Sequence, residues 1–343
     1  MDNKINSSPV EKEKITMPEM LTVSPSPHVK SPETTTTLMV DVLIALSPAI
    51  IWGVVVFGWR AAMHVLLSVA AAVGAEALYE KLMKKPITVR DCSAAVTGVL
   101  IAMNVPVSVP LWMPVVGSVF AIVVVKQLFG GIGKNFVNPA LSARVFMLSW
   151  AGDMTRFTAA GDRINSLLPA LGEADVISSA TPLAALKTGA LPSESFLDMF
   201  LGRQGGCIGE VSAVLLLVGA VYLLIRKVIT WHIPVAYIGT VAVLTFIFSR
   251  NGMFSWEFML YELLAGGLML GAFFMATDYS TSPVSPKGRI IYGIGCGAIT
   301  VLIRFFGTYP EGVSFSILIM NLLVWYIDKF AKPRRFGGKT SGK

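Results

Sequence analysis

Long apolar runs alternate with short polar breaks along most of this chain. A helix that crosses a bilayer needs about twenty mostly apolar residues, because each adds about 1.5 Å and the hydrocarbon layer is about 30 Å thick. Runs of this kind fall near residues 38–58, 61–80, 93–108, 111–129, 137–151, 208–226, 232–249, 255–276, 289–306 and 313–331. The pattern predicts an all-α polytopic membrane protein with about ten transmembrane helices. The third and fifth runs are short, and Pro106, Pro110 and Pro139 interrupt or flank them. Tilted, broken or partly re-entrant helices are expected there. Irregular backbone survives at membrane depth only when buried in protein or lining a cavity, so a ligand is sought at these two segments.

Between the runs lies one long hydrophilic segment, 151–206. Before them, residues 1–37 are polar and become rich in Pro, Ser and Thr from Ser24, which reads as a disordered arm with no cleavable signal peptide. The expected organisation is therefore an arm (1–37), a first five-helix half (38–150), a loop (151–206), a second five-helix half (207–331) and a basic tail (332–343). Five spans in each half would make the halves inverted relative to one another, an arrangement common in transporters. Internal similarity is faint: Gly130 to Leu141 and Gly307 to Leu318 both pass from a Gly turn into a small-residue helix.

Composition agrees with lipid as the main solvent. Hydrophobic residues make up 54% and charged residues 14%, well short of a soluble surface, where about 25% charged is usual. The formal net charge is +7, yet the basic residues form short clusters rather than one patch, which argues against nucleic-acid binding. Their placement is a topology signal. With the N-terminus inside, the inner segments hold Lys4, Lys12, Lys14 and Lys30, then Lys81, Lys84, Lys85 and Arg90, then Lys126 and Lys134, Arg226 and Lys227, Lys287 and Arg289, and the tail from Lys329 to Lys343. The short outer loops hold only Arg60 and Arg250. Both termini are thus expected to be cytoplasmic and loop 151–206 extracytoplasmic. Three cysteines (Cys92, Cys207, Cys296) and three histidines (His28, His64, His232) are scattered, so neither a zinc site nor an iron–sulfur cluster is expected from this chain alone.

Several segments can carry chemistry. Asp41, Glu76, Arg144, Glu210, Glu262 and Arg304 fall inside apolar runs. Such charges either mark an ion path or pair with one another. The segment Gly130-Gly131-Ile132-Gly133-Lys134-Asn135-Phe136-Val137-Asn138-Pro139-Ala140 offers close backbone approach, two amides and a helix start at Asn138-Pro139. It suits a flat polar heterocycle, or is an ordinary Gly-rich turn. The segment Met275 to Pro283 sets hydroxyl residues around Asp278 at a membrane boundary. A polar ligand and an Asx or Ser/Thr turn are equal readings of it. In the long loop, Asp175-Val176-Ile177-Ser178-Ser179-Ala180-Thr181-Pro182 places a hydroxyl before a proline, where the backbone is extended.

Those motifs carry a resemblance. Asp175-x-x-Ser178-Ser179-Ala180-Thr181 resembles the flavinylation motif of the NqrB/RnfD family. Gly130 to Ala140, Phe274 to Asp278 with Thr281-Ser282-Pro283, and Tyr309 to Phe315 through Asn321 agree with the family in the same order, over residues 38 to 331. Length, the short arm and Ser179 resemble the RnfD side, while Tyr279 stands where the family pattern has proline.

The resemblance implies a membrane component of the Rnf complex, which passes electrons from ferredoxin to NAD and translocates Na+ or H+. It implies covalent FMN on Thr181 through a phosphoester, attached by a flavin transferase that reads Asp175, Ser178, Ser179 and Ala180. It further implies a non-covalent riboflavin nearer the inner side, placed at Asn135, Asn138 and Pro139, with Asp278 and Thr281 as second choice. Lys187 offers a cation for the phosphate, or is simply solvated. The implied fold is urea-transporter-like, with two inverted five-helix halves. The implied partners are the other Rnf subunits: a second covalent-FMN subunit, membrane iron–sulfur subunits and peripheral ferredoxin and NAD subunits. A small-solute channel and a structural anchor for redox subunits are the competing functions.

Overall fold

The computed structural model describes residues 33–158 and 181–332, apart from 193, 203, 211, 251, 253, 309 and 310. Asp175, Ser178, Ser179 and Ala180 lie outside the described residues, whereas Thr181 is within them. Among the described residues the regular structure is helical. The first group is α1 (Thr35–Phe57), α2 (Trp59–Leu82), α3 (Ser93–Met103), α4 (Trp112–Phe120), which continues as a π-helical stretch over Ala121–Gln127, and α5 (Pro139–Met147). Short helices follow: α6 (Ala151–Met154), α7 (Pro182–Lys187) and α8 (Phe196–Leu201). The last group is α9 (Ala213–Ile225), α10 (His232–Ile247), α11 (Trp256–Leu264), α12 (Leu268–Leu270) with a π-helical stretch over Gly271–Met275, α13 (Pro286–Phe306) and α14 (Val313–Phe330).

Among the described residues, α1, α2, α13 and α14 are long and apolar enough to cross a membrane, and Trp256–Leu264 with Leu268–Met275 is a further candidate bent by 64°. Every apolar run read from the sequence contains a helix, but several helices are much shorter than their runs. The physical reasons are local. Pro106 stops α3 from continuing through its run, because it has no N–H and disfavours helical backbone before it. The carbonyls freed there are met by protein: Gly209 N–H donates to Met103 O at 2.8 Å and Ile208 N–H to Val105 O at 3.2 Å. That use of residues 208–210 delays α9 until Ser212, whose hydroxyl caps Leu215 N–H. The run 255–276 breaks at Gly266 and Gly267, whose φ values are +68° and +65°. A residue with a Cβ pays strain in that conformation.

The helices meet closely. On α1 the buried positions Asp41, Ala45, Ala49, Gly53 and Phe57 recur every four residues and form one stripe. It faces α9, where a Cβ on Gly219 would come within 2.2 Å of Ala45 O. In the same way a Cβ on Gly297 would meet Tyr237 O at 2.9 Å, so α13 and α10 pack backbone against backbone. The pairing order repeats along the chain. Helix α2 packs on α3 and α4, and both of those pack on α5. Helix α10 packs on α11 and α13, α13 packs on α14, and so does the Gly271–Met275 stretch. Helix α1 lies against α9, and α5 against α14.

The charges within the apolar runs pair with one another. Arg226 holds Asp41 at 3.1 Å, Lys126 holds Glu76 at 2.6 Å, and Arg304 holds Glu262 at 2.6 Å. Arg144 lies between Glu311 and Glu210, the latter at 3.7 Å. Lys126 counts with the inner-loop charges in sequence, but it sits inside the π-helical stretch and is buried. Its position is set by Glu76 and by the Ser93 hydroxyl, 2.6 Å away.

Candidate functional site

Two places collect the residues singled out by sequence. The first is a cavity of about 100 Å³ whose walls include Leu38, Met39, Ser93, Lys126, Asn135, Asn138, Pro139, Phe273, Phe274 and Asp278. One ordered water needs only about 10–15 Å³ on such a measure, so the space admits a polyatomic group. Two distant segments, 130–140 and 275–283, thus meet at one chamber. Their asparagines differ. Asn138 is the N-cap of α5: its Oδ1 accepts from Ala140 N–H at 3.0 Å and Leu141 N–H at 3.3 Å. Its Nδ2 donates to Met275 O at 3.2 Å, which ties the two segments together. Asn321 of α14 accepts from the Asn138 backbone N–H at 3.1 Å and donates to Thr281 O. Asn138 is therefore spent on architecture.

Asn135 is not. It is buried, and its Oδ1 has no hydrogen-bond partner. A buried acceptor left unmet costs about 1–3 kcal/mol, so it marks a position where a ligand donor belongs. Asp278 lies on the opposite segment and accepts from the Ser280 hydroxyl at 3.0 Å and the Thr281 hydroxyl at 3.1 Å. Burial raises its pKa, and those hydrogen bonds oppose the rise. Thr281 supports Asp278 and does not line the cavity itself. Sequence reading missed Lys126 and Ser93 as lining groups, since a lysine near a run end looks like a loop charge. An aromatic and aliphatic wall with an unmet amide oxygen, a carboxylate and an ammonium fits a flat heterocycle with polar edges.

The second place surrounds Thr181, which is buried and caps α7: its Oγ1 accepts from Ala184 N–H at 3.4 Å. A small pocket beside it is lined by Gln204, Gly205, Glu210, Gly266 and Glu311. Arg144 crosses from this pocket to Asn104, donating to its Oδ1 at 2.7 Å. Asn104 Nδ2 in turn lies 3.5 Å from Met275 Sδ, and Met275 O is the acceptor of Asn138. Arg144, Asn104 and Met275 thus lie in series between the two places, Met275 meeting Asn104 through its sulfur and Asn138 through its backbone carbonyl. Lys187 does not reach the pocket; its Nζ donates to Thr308 O at 2.6 Å. Sequence reading also missed Gln204 and Glu311, which carry no local motif.

Comparison with known proteins gives concordant matches. The NQR2, RnfD, RnfE family matches residues 22–337. The chain is 49% identical over 323 residues to the D component of the Na(+)-translocating ferredoxin:NAD(+) oxidoreductase complex of Acetobacterium woodii, covering 92% of this chain and 95% of that protein. It is 43% identical over 333 residues to the D component of the proton-translocating ferredoxin:NAD(+) oxidoreductase complex of Clostridium ljungdahlii, covering 93% and 96%. Identity to the D component of the ion-translocating oxidoreductase complex of Stutzerimonas stutzeri is 39% over 331 residues, covering 89% and 93%.

Proposed function

The chain belongs to the NQR2, RnfD, RnfE family, and on that premise we propose that it is the RnfD component of an ion-translocating ferredoxin:NAD+ oxidoreductase complex. Thr181 carries FMN as a phosphoester on its Oγ1, attached by a flavin transferase that reads the segment from Asp175. The inner cavity holds a riboflavin. When bound, each flavin supplies a carrier that accepts and gives up electrons. The chain's own residues hold and orient it. Asn135 Oδ1 would be free to accept a hydrogen bond from the bound ring, Phe273 and Phe274 would wall it, and Asp278 and the Glu76-paired Lys126 would face its polar edges. Thr181 anchors its flavin by a tether and leaves the ring free to meet a partner. The other subunits of the complex supply the ferredoxin and NAD sites and the iron–sulfur groups.

The observation that carries this reading is the unmet Asn135 Oδ1 in a chamber built from two segments that resemble the family. The ten-span topology is part of the proposal. Segments 130–138, 226–231 and 276–285, assigned to the inner side by their lysines and arginines, all contribute residues to the inner cavity or to the pocket adjoining it, which supports the reading. The repeated pairing order of α2–α5 and α10–α14 supports two inverted halves of urea-transporter-like design.

The test is a denaturing gel of the purified chain, co-expressed with flavin transferase and viewed for flavin fluorescence. A fluorescent band is expected, and Thr181→Val should abolish it. A dark native band would sink the FMN assignment, and a fluorescent variant would move the attachment elsewhere.

A further inference from the structure

We infer that the groove between α10 and α13 holds one phospholipid with an anionic headgroup, its phosphate on Arg289 and an acyl chain along α10. Two spaces adjoin there. A groove of about 470 Å³ is lined by Trp231, Val235, Gly239, Val243, Ile290 and Ile294. A pocket of about 220 Å³ is lined by Thr230, Ile233, Ser282 and Arg289. Thr230 and Arg289 immediately precede Trp231 and Ile290, so polar space and apolar space follow one another along the same two helices. The combination is amphipathic and long. From residue 231 to residue 244 the groove runs about 20 Å at about 1.5 Å per residue, against about 15 Å for one leaflet of a hydrocarbon layer about 30 Å thick.

Charge decides the headgroup. Asp41, Glu76 and Glu262 each neutralise a cation of the apolar runs, namely Arg226, Lys126 and Arg304. Arg289 has no such carboxylate among the described residues. Its Nε donates to Pro283 O and its Nη1 to Thr230 Oγ1, both at 3.0 Å, which leaves Nη2 for a ligand. Among the described residues no carboxylate lines the pocket. Asp278 is turned to the Ser280 and Thr281 hydroxyls, and Asp328 accepts from Val284 N–H at 3.2 Å. Lys227 and Lys287 stand exposed on the two flanking segments. The ammonium of a zwitterionic headgroup would meet like charge in all three basic residues, whereas a lone phosphodiester meets only opposite charge.

Helix geometry adds to this. A Cβ on Gly293 would meet Ile233 O at 2.8 Å, and one on Gly297 would meet Tyr237 O at 2.9 Å. Both contacts advance by four residues, so α10 and α13 run parallel with their N-termini together beside Arg289. The positive ends of both helix dipoles then reinforce the guanidinium. Trp231, exposed and stacked on His232 at 4.2 Å, sets an amphipathic ring where headgroup gives way to chain. Beyond it the groove floor is Gly239, where a Cβ would find nothing within 4 Å, so space remains for a methylene chain. The site stands on these residues alone and is independent of either flavin assignment.

Native mass spectrometry tests it on the full chain, freed of lipid in mild detergent and titrated with phosphatidylglycerol or with phosphatidylcholine of matched chains. One phosphatidylglycerol per chain is expected, held about fivefold tighter than phosphatidylcholine, the factor that one cation contributes at an anionic lipid surface. Arg289→Gln should remove that preference. Gly239→Leu should fill the groove and weaken both lipids while keeping the preference between them. It introduces no clash with the fold, so it decides the matter if Arg289→Gln does not fold. Equal binding of the two lipids, a preference that survives Arg289→Gln, or unchanged binding to Gly239→Leu overturns the site. So does displacement of phosphatidylglycerol by inorganic phosphate, which would make the pocket a free-anion site. A dimer that excludes lipid overturns it too and gives the groove to a second copy of the chain.

Discussion

Asn135 and Asn138 stand three residues apart and look alike in sequence, yet their side chains do unrelated things. Asn138 caps α5 and bridges to Met275, so Asn138→Leu should lower the thermal midpoint through loss of about 1 kcal/mol of cap and of a buried bond. Asn135→Leu removes an unmet acceptor, so it should not lower the midpoint of the flavin-free protein and should still reduce the riboflavin released by acid. Equal flavin recovery from Asn135→Leu and wild type would remove Asn135 from the site. Asp278 adds a pH signature. Burial raises its pKa, so the folded state binds its proton more tightly than the unfolded state does. That contribution favours folding at low pH and is lost as pH rises from the ordinary value of 3.8 through the raised one. Asp278→Asn should therefore flatten the pH dependence of thermal stability over weakly acid pH, and an unchanged profile would assign the dependence to another group. Candidate residues were legible at this scale because motif and spacing are local. Which atom of each is spent and which is left over depends on partners more than a hundred residues away, such as Met275 for Asn138.

At the scale of elements, the bent apolar pair α11–α12 shows what an apolar helix needs when it stops midway. The carbonyls at the end of α11 require donors, and Arg304 of α13 supplies them: Nη1 reaches Glu262 O at 2.6 Å and Nη2 reaches Ala265 O at 2.8 Å. Arg304→Leu would strand the Glu262 carboxylate and those carbonyls together, at about 3–5 kcal/mol. It should cut the yield of folded protein in detergent, and pairing it with Glu262→Leu should restore part of that yield. No recovery in the double variant would mean that the carbonyl bonds, not the ion pair, dominate. Sequence predicts the run at 255–276 but not its bend, because Gly266-Gly267 within an apolar stretch reads equally as a tolerated interruption. Lys126 is the parallel case. Periodicity puts it at a helix end, and only the π-helical turn together with Glu76 makes it an interior group.

For the whole molecule, sidedness is the property most open to direct test. With Cys92 replaced by Ser, a cysteine at Thr188 should react with a membrane-impermeant maleimide added outside intact cells, and one at Lys287 should react only after permeabilisation. The reverse result would invert the topology and place Thr181 on the cytoplasmic side. Amino-acid sequence by itself determined the apolar character, the helical class, the order of the apolar runs and the family, because hydrophobic runs and ordered motifs are properties of a linear string. Tertiary structure decided how intramembrane charges pair, where spans break, and which segments enclose a cavity. The physical reason is that these depend on contacts across long sequence separations. Asp41 meets Arg226, Glu262 meets Arg304 and Asn138 meets Met275, and no local pattern encodes such meetings. The pocket beside Thr181 is the clearest instance. Its carboxylates and its amide come from Gln204, Glu210 and Glu311, and only folding makes them neighbours.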